Sequence, residues 1–77
     1  MKYILSLNKK AIKDLKKIDS KNKSRIKIGL DKLENFQGDI KKLTNHTSEY
    51  RLRIGEYRVL FEVFDNEILI HRIITRQ

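Results

Sequence analysis

Residues 50–63 read YRLRIGEYRVLFEV. On both sides of Gly55-Glu56, apolar and charged residues alternate, the pattern of two half-buried strands joined by a two-residue turn. Such a turn fixes the register. Ile54 is expected to pair with Tyr57, Arg53 with Arg58, Leu52 with Val59 and Arg51 with Leu60. Side chains alternate across a sheet, so Tyr50, Leu52, Ile54, Tyr57, Val59, Phe61 and Val63 share one apolar face. Arg51, Arg53 and Arg58 share the other with Leu60, Glu62 and Phe64.

Downstream, Asp65-Asn66 reads as a second two-residue turn, of type I′, leading into a strand over Glu67 to Ile74. That turn sets Leu60 against His71 and Arg58 against Ile73, with His71 diagonal to Arg58 on the arginine face. Upstream, residues 39–48 (DIKKLTNHTS) read as a loop with Leu43 as its inward anchor. Gly38 ends a helix whose apolar stripe is Ile26, Leu30, Leu33 and Phe36. Gly29 lies inside that helix, where a small residue allows another element to approach closely. Ser20 or Asn22 caps it, after Asp19-Ser20 ends an earlier helix carrying Ala11, Ile12, Leu15 and Ile18. Asn8 caps that first helix, and Lys2 to Leu7 forms a first strand. The order is β-α-α-β-β-β. The fold class is α+β: an N-terminal strand and an αα-hairpin packed on an antiparallel sheet that three C-terminal strands complete.

The chain has 77 residues, enough for one domain spanning 1–77 and no second core. A domain of this size buries only about 60% of the surface its unfolded chain exposes. With no cysteine, disulfides and thiolate metal sites are excluded. No apolar stretch is long enough for a membrane span and no signal peptide is evident, so a cytoplasmic location without a membrane partner is expected. The formal charge of +8 favours polyanionic partners. The lysine-rich helices fit either a solvated face or a nucleic-acid backbone.

Charge on the outer face of a half-buried sheet is ordinary. Three converging arginines without as many carboxylates are less so, because guanidinium groups hold phosphate in a bidentate fork. His71 is the residue type that titrates near neutrality and is a candidate catalytic base. Glu62 reads as a charge partner for Arg58 or Arg53, and His46 as a solvated loop residue. Two histidines without cysteine give no recognisable zinc spacing, and no cofactor-binding motif is present.

YRLRIGEYRVLFEV, with KKAIKDLKKID in the first helix and KKL before the hairpin, resembles the RelE/ParE superfamily of toxin–antitoxin toxins over nearly the whole chain. The resemblance implies one of two activities. RelE-like members cut mRNA in the ribosomal A site, and ParE-like members inhibit DNA gyrase. Both are neutralised by a cognate antitoxin, RelB-like in the first case. Carried over by motif, the residues around the scissile phosphate are Arg51 and Arg53, Arg58, and Arg76 within RIITRQ. Strict alternation along the last strand would instead place Arg76 with Arg72 on the helix-facing side. The family's late tyrosine has no counterpart before Gln77, which makes impaired cleavage an expectation. Arginines also stand where many RelE-like members have lysines, and an arginine holds charge but does not release a proton.

The reading is therefore a RelE-type endoribonuclease whose partners are an antitoxin and the mRNA-loaded ribosome. The alternatives are a ParE-like gyrase inhibitor and a remnant that only binds antitoxin.

Overall fold

The structure, a computed structural model, describes residues 2–44 and 48–75. Its elements are β1 (Ile4–Leu7), α1 (Lys9–Lys16), α2 (Ser20–Leu33), β2 (Asp39–Lys42), β3 (Glu49–Ile54), β4 (Tyr57–Phe64) and β5 (Glu67–Thr75). The five strands form one sheet in the order β1-β5-β4-β3-β2. All neighbours are antiparallel except β1 and β5, which run parallel, so the sheet is mixed. A parallel pair needs a crossover between its strands, and the helices lie within the chain that separates β1 from β5.

Both helices start at side-chain caps. Asn8 Oδ1 accepts from the Ala11 N–H at 2.9 Å, as the sequence suggests. For α2 the cap is Asp19, not Ser20 or Asn22: its carboxylate accepts from the Asn22 N–H at 3.1 Å and from the Asn22 amide at 2.8 Å. Helix α2 also stops before Gly38. Phe36 donates to the Leu33 carbonyl and Gln37 to the Lys32 carbonyl, the two bonds of a Schellman motif. The left-handed residue of that motif is usually glycine, but here it is Phe36, at φ +55°. Its ring compensates by packing: centroids of Tyr3 and Tyr50 lie 5.5 and 5.6 Å away and that of Phe61 at 6.4 Å, distances at which aromatic pairs attract.

The core is the inner face of the sheet closed by the helices. Ala11, Ile18, Ile26 and Leu33 meet Leu52, Val59, Phe61, Ile68, Ile70 and Ile73, all buried. Helix α2 comes close to β3 at Gly29, where an added Cβ would meet the Ile54 side chain. The close approach read from the sequence thus has Ile54 as its partner.

Residues 39–48, expected to be a loop, contain β2. Asp39 pairs with Arg53, Ile40 with Leu52, Lys41 with Arg51 and Lys42 with Tyr50. Only Ile40 joins the core cluster from this strand, so a short, charged edge strand carries almost no hydrophobic period to read. Leu43 is exposed, not an inward anchor.

Candidate functional site

The β3–β4 register matches the sequence expectation at every pair, including Arg53 opposite Arg58. Arg51, Arg53 and Arg58 therefore share the sheet face away from the helices. β2 adds Asp39 and Lys41 to that face, opposite Arg53 and Arg51. Sequence reading missed both, because it assigned them to a loop.

Asp39 lies between two of the guanidinium groups. Its carboxylate is 3.9 Å from Arg51 Nη1 and 3.5 Å from Arg53 Nε. Both separations exceed the 2.7–2.9 Å of a charge-assisted hydrogen bond. Arg51 Nη1 is shielded from solvent yet has no hydrogen-bond acceptor among the described residues. Arg58 is exposed and has no ion-pair partner among the described residues. Glu62, expected beside Arg58 or Arg53, is turned to His71 instead.

The β4–β5 register departs from expectation past one point. Phe61 pairs with Ile70, but Leu60 pairs with Arg72 rather than His71, and Arg58 with Ile74 rather than Ile73. His71 is the extra residue of a β-bulge. The bulge resolves a conflict in the pattern: Ile68, Ile70 and Ile73 are all buried, which strict alternation forbids. One inserted residue brings Ile73 into the core and keeps Arg72 out of it. The same insertion removes the premise of strict alternation that set Arg76 on the helix side. Arg76 and His46 lie outside the described residues.

At the bulge, His71 bridges two elements. Asn8 Oδ1 is committed to the α1 cap, so its amide Nδ2 faces His71 Nδ1, 3.4 Å away. An Asn8 amide donor at Nδ1 is compatible with the tautomer that carries its proton on Nε2 and donates it to Glu62 Oε1. This arrangement, a carboxylate holding one ring N–H while the other nitrogen keeps its lone pair, is the one that orients a histidine base. Glu62 and His71 border a depression of about 270 Å³ with Leu43, Glu49, Tyr50, Leu60 and Phe61.

Beyond β1, the β5 edge has lost its parallel partner, and α1 replaces it. Asp14 accepts from the Ile73 N–H at 2.9 Å and from Arg72 at 2.7 and 3.1 Å. The Arg72 hydrogen bonds lead in holding the Asp14 carboxyl below its ordinary value, with the Ile73 N–H adding to them against partial burial. Among the described residues no group of three or more His, Cys, Asp or Glu could hold a metal ion, and no helix is long and apolar enough to cross a membrane.

Over residues 5–77 the chain matches the family described as the ParE toxin of type II toxin-antitoxin system, parDE. The chain belongs to that family, within the RelE/ParE superfamily. It is 32% identical over 72 residues to Toxin RelE3 of Methanocaldococcus jannaschii, covering 86% of this chain and 82% of that protein. It resembles the archaeal RelE in the RelE-RelB complex from Pyrococcus horikoshii OT3, with a TM-score of 0.81 and 29% identity over 99% of this chain and 97% of that one. The RelB-RelE antitoxin-toxin complex from Methanococcus jannaschii gives a TM-score of 0.77 and 31% identity, covering 91% and 88% of the two chains. The matched region, residues 5–77, contains the whole arginine hairpin and the bulge.

Proposed function

We propose that this RelE/ParE-family chain is a RelE-type toxin that cleaves mRNA on the ribosome and is held inactive by a RelB-like antitoxin. The observation that carries this reading is the gathering of Arg51, Arg53 and Arg58 on one sheet face, with Arg58 open to solvent. The antitoxin partner is supported by relatives whose structures are toxin–antitoxin complexes. Both partners are cytoplasmic, so the site of action is the cytoplasm.

In this reading the arginines bind the scissile phosphate and stabilise the charge that builds on it. Arg76 is a fourth cation on the strength of the family resemblance. The ribose 2′-OH attacks its own phosphorus. Its proton passes to His71 Nδ1 once the Asn8 amide turns aside, and Glu62 stabilises the imidazolium. The P–O5′ bond breaks and the 5′ oxygen takes a proton from water, leaving a 2′,3′-cyclic phosphate. Lys41, opposite Arg51, adds a further cation at the rim.

The test is incubation of the purified toxin with mRNA-programmed ribosomes, comparing wild type with Arg58→Ala and His71→Ala. A-site cleavage that both variants lose supports the reading, and full cleavage by the Arg58 variant overturns the site. A second reading, inhibition of DNA gyrase, is favoured by the ParE description of the matching family. Loss of supercoiling activity on adding the toxin, without any mRNA cutting, would decide for it.

A further inference from the structure

We propose that Asp39 is a resident carboxylate of the arginine site and sets how strongly anionic a ligand must be to enter it. The inference rests on the phosphate-binding reading of Arg51, Arg53 and Arg58, and adds a specificity-determining residue to it.

Three observations combine. First, register puts Asp39 directly opposite Arg53 on the arginine face, and its carboxylate reaches Arg51 as well as Arg53. It therefore stands where an anionic ligand bridging the two guanidinium groups would stand. Second, the pairing is loose. Separations of 3.9 and 3.5 Å are ion-pair distances, outside bidentate geometry. The Asp39 side chain is 59% exposed while those of Arg51 and Arg53 are 17% and 33% exposed. The arginine side chains are the more enclosed and the carboxylate is the more open to water. Third, Arg51 Nη1 is shielded and lacks an acceptor among the described residues. A buried donor without an acceptor is costly, so an oxygen placed at hydrogen-bond distance from it would be favoured over Asp39 as it stands.

Asp39 is on an edge strand whose inward residue, Ile40, is half-buried in the core cluster. That anchors the strand while its outward side chains remain adjustable. A weak anion must compete with the carboxylate for the two arginines. A nucleic-acid phosphate, held also by Arg58 and Lys41, can displace it. Asp39 thus raises the threshold for ligand entry and favours phosphates that are presented on a chain over small free anions.

The experiment measures binding of a short fluorescein-labelled 2′-O-methyl RNA, which cannot be cleaved, by fluorescence anisotropy at fixed low salt. Asp39→Asn preserves shape and removes the charge. It is expected to tighten RNA binding about fivefold, the effect of removing one like charge at this range in water. Asp31→Asn, on the exposed face of α2, makes the same change in net charge away from the site and is expected to tighten binding less than twofold. Adding Arg53→Ala to the Asp39 variant should abolish the gain. Unchanged or weaker binding by Asp39→Asn, or an equal gain in the Asp31 variant, overturns the proposal. Asp39→Ala repeats the test should the asparagine variant unfold at a lower temperature. Arg58→Ala reports separately on the parent reading: wild-type RNA affinity in that variant would count against the phosphate site, whatever the Asp39 variants do.

Discussion

Arg53 and Arg58 stand directly opposite each other in the β3–β4 ladder, a like-charge pair that costs stability. Asp39 relieves only the Arg53 side among the described residues. A sheet that retains such a pair does so at the expense of stability, as binding sites commonly do. Arg58→Thr should therefore raise unfolding free energy by about 0.5 kcal/mol in urea titration, since repulsion is lost and threonine suits a strand. The same variant should lose about a hundredfold in mRNA cleavage on ribosomes, as when one charge-stabilising donor is removed. A variant that is both less stable and fully active would contradict the assignment.

The hairpin was legible in the sequence because two constraints agreed there: a two-residue turn and a clean period of two. Asn8 was legible because its side chain acts locally, on Ala11. Gly29 signalled a close approach, though only the structure names Ile54. Where the reading departed from the structure, one constraint had been traded for another. At His71, strict alternation gave way to burying Ile73, and no local residue marks the bulge. At Phe36, aromatic packing with Tyr3, Tyr50 and Phe61 overrode the preference for glycine in a left-handed position. In β2, charged residues along a four-residue edge hid the strand, and with it Asp39 and Lys41. The three hairpin arginines were therefore found, but the carboxylate between two of them was not.

The second turn departs from expectation in a way that can be measured. Among the described residues of the two turns, only Gly55 (φ +57°) and Asp65 (φ +54°) have positive φ, so the second turn is not the type I′ expected for Asp65-Asn66, which needs two. Asp65 holds a conformation that glycine adopts freely. Asp65→Gly is expected to stabilise the fold by about 0.5 kcal/mol, the backbone relief slightly exceeding the added freedom of the unfolded chain. Asp65→Val should cost about 1–2 kcal/mol, because a β-branched residue is disfavoured there. Equal midpoints for the two variants in urea would refute the strain argument.

Gly29 opposes helix propensity to packing. Alanine would improve the α2 backbone by up to about 1 kcal/mol, but its Cβ would lie 3.0 Å from Ile54 Cγ1 and closer still to Cδ1. Overpacking of this kind typically costs about 1–3 kcal/mol. Gly29→Ala is therefore expected to destabilise the protein by about 1 kcal/mol. Combining it with Ile54→Val, which removes the Cδ1 methyl, should recover most of the loss. Such non-additivity in a double-mutant cycle would assign the cost to this one contact.

Asp14 gives the fold a defined response to acid. Its carboxyl is held below the ordinary value of 3.8, first by the Arg72 hydrogen bonds and then by the Ile73 N–H. The unfolded chain therefore binds this proton more readily than the folded one, so stability rises with pH across the interval between the two values. The contribution is fully present well above the ordinary value, begins to fall as pH nears it, and disappears as pH falls through the lowered value. Asp14→Asn keeps an oxygen to accept from Ile73 but loses the ion pair. Denaturant midpoints should show the variant below wild type at pH 7 and the gap closing as pH drops from about 4 toward 2. Arg72→Gln should shrink the same pH-dependent part, because its hydrogen bonds are the largest cause of the shift. A gap that stays constant down to pH 2 would show that Asp14 acts only as an uncharged acceptor at the open edge of β5.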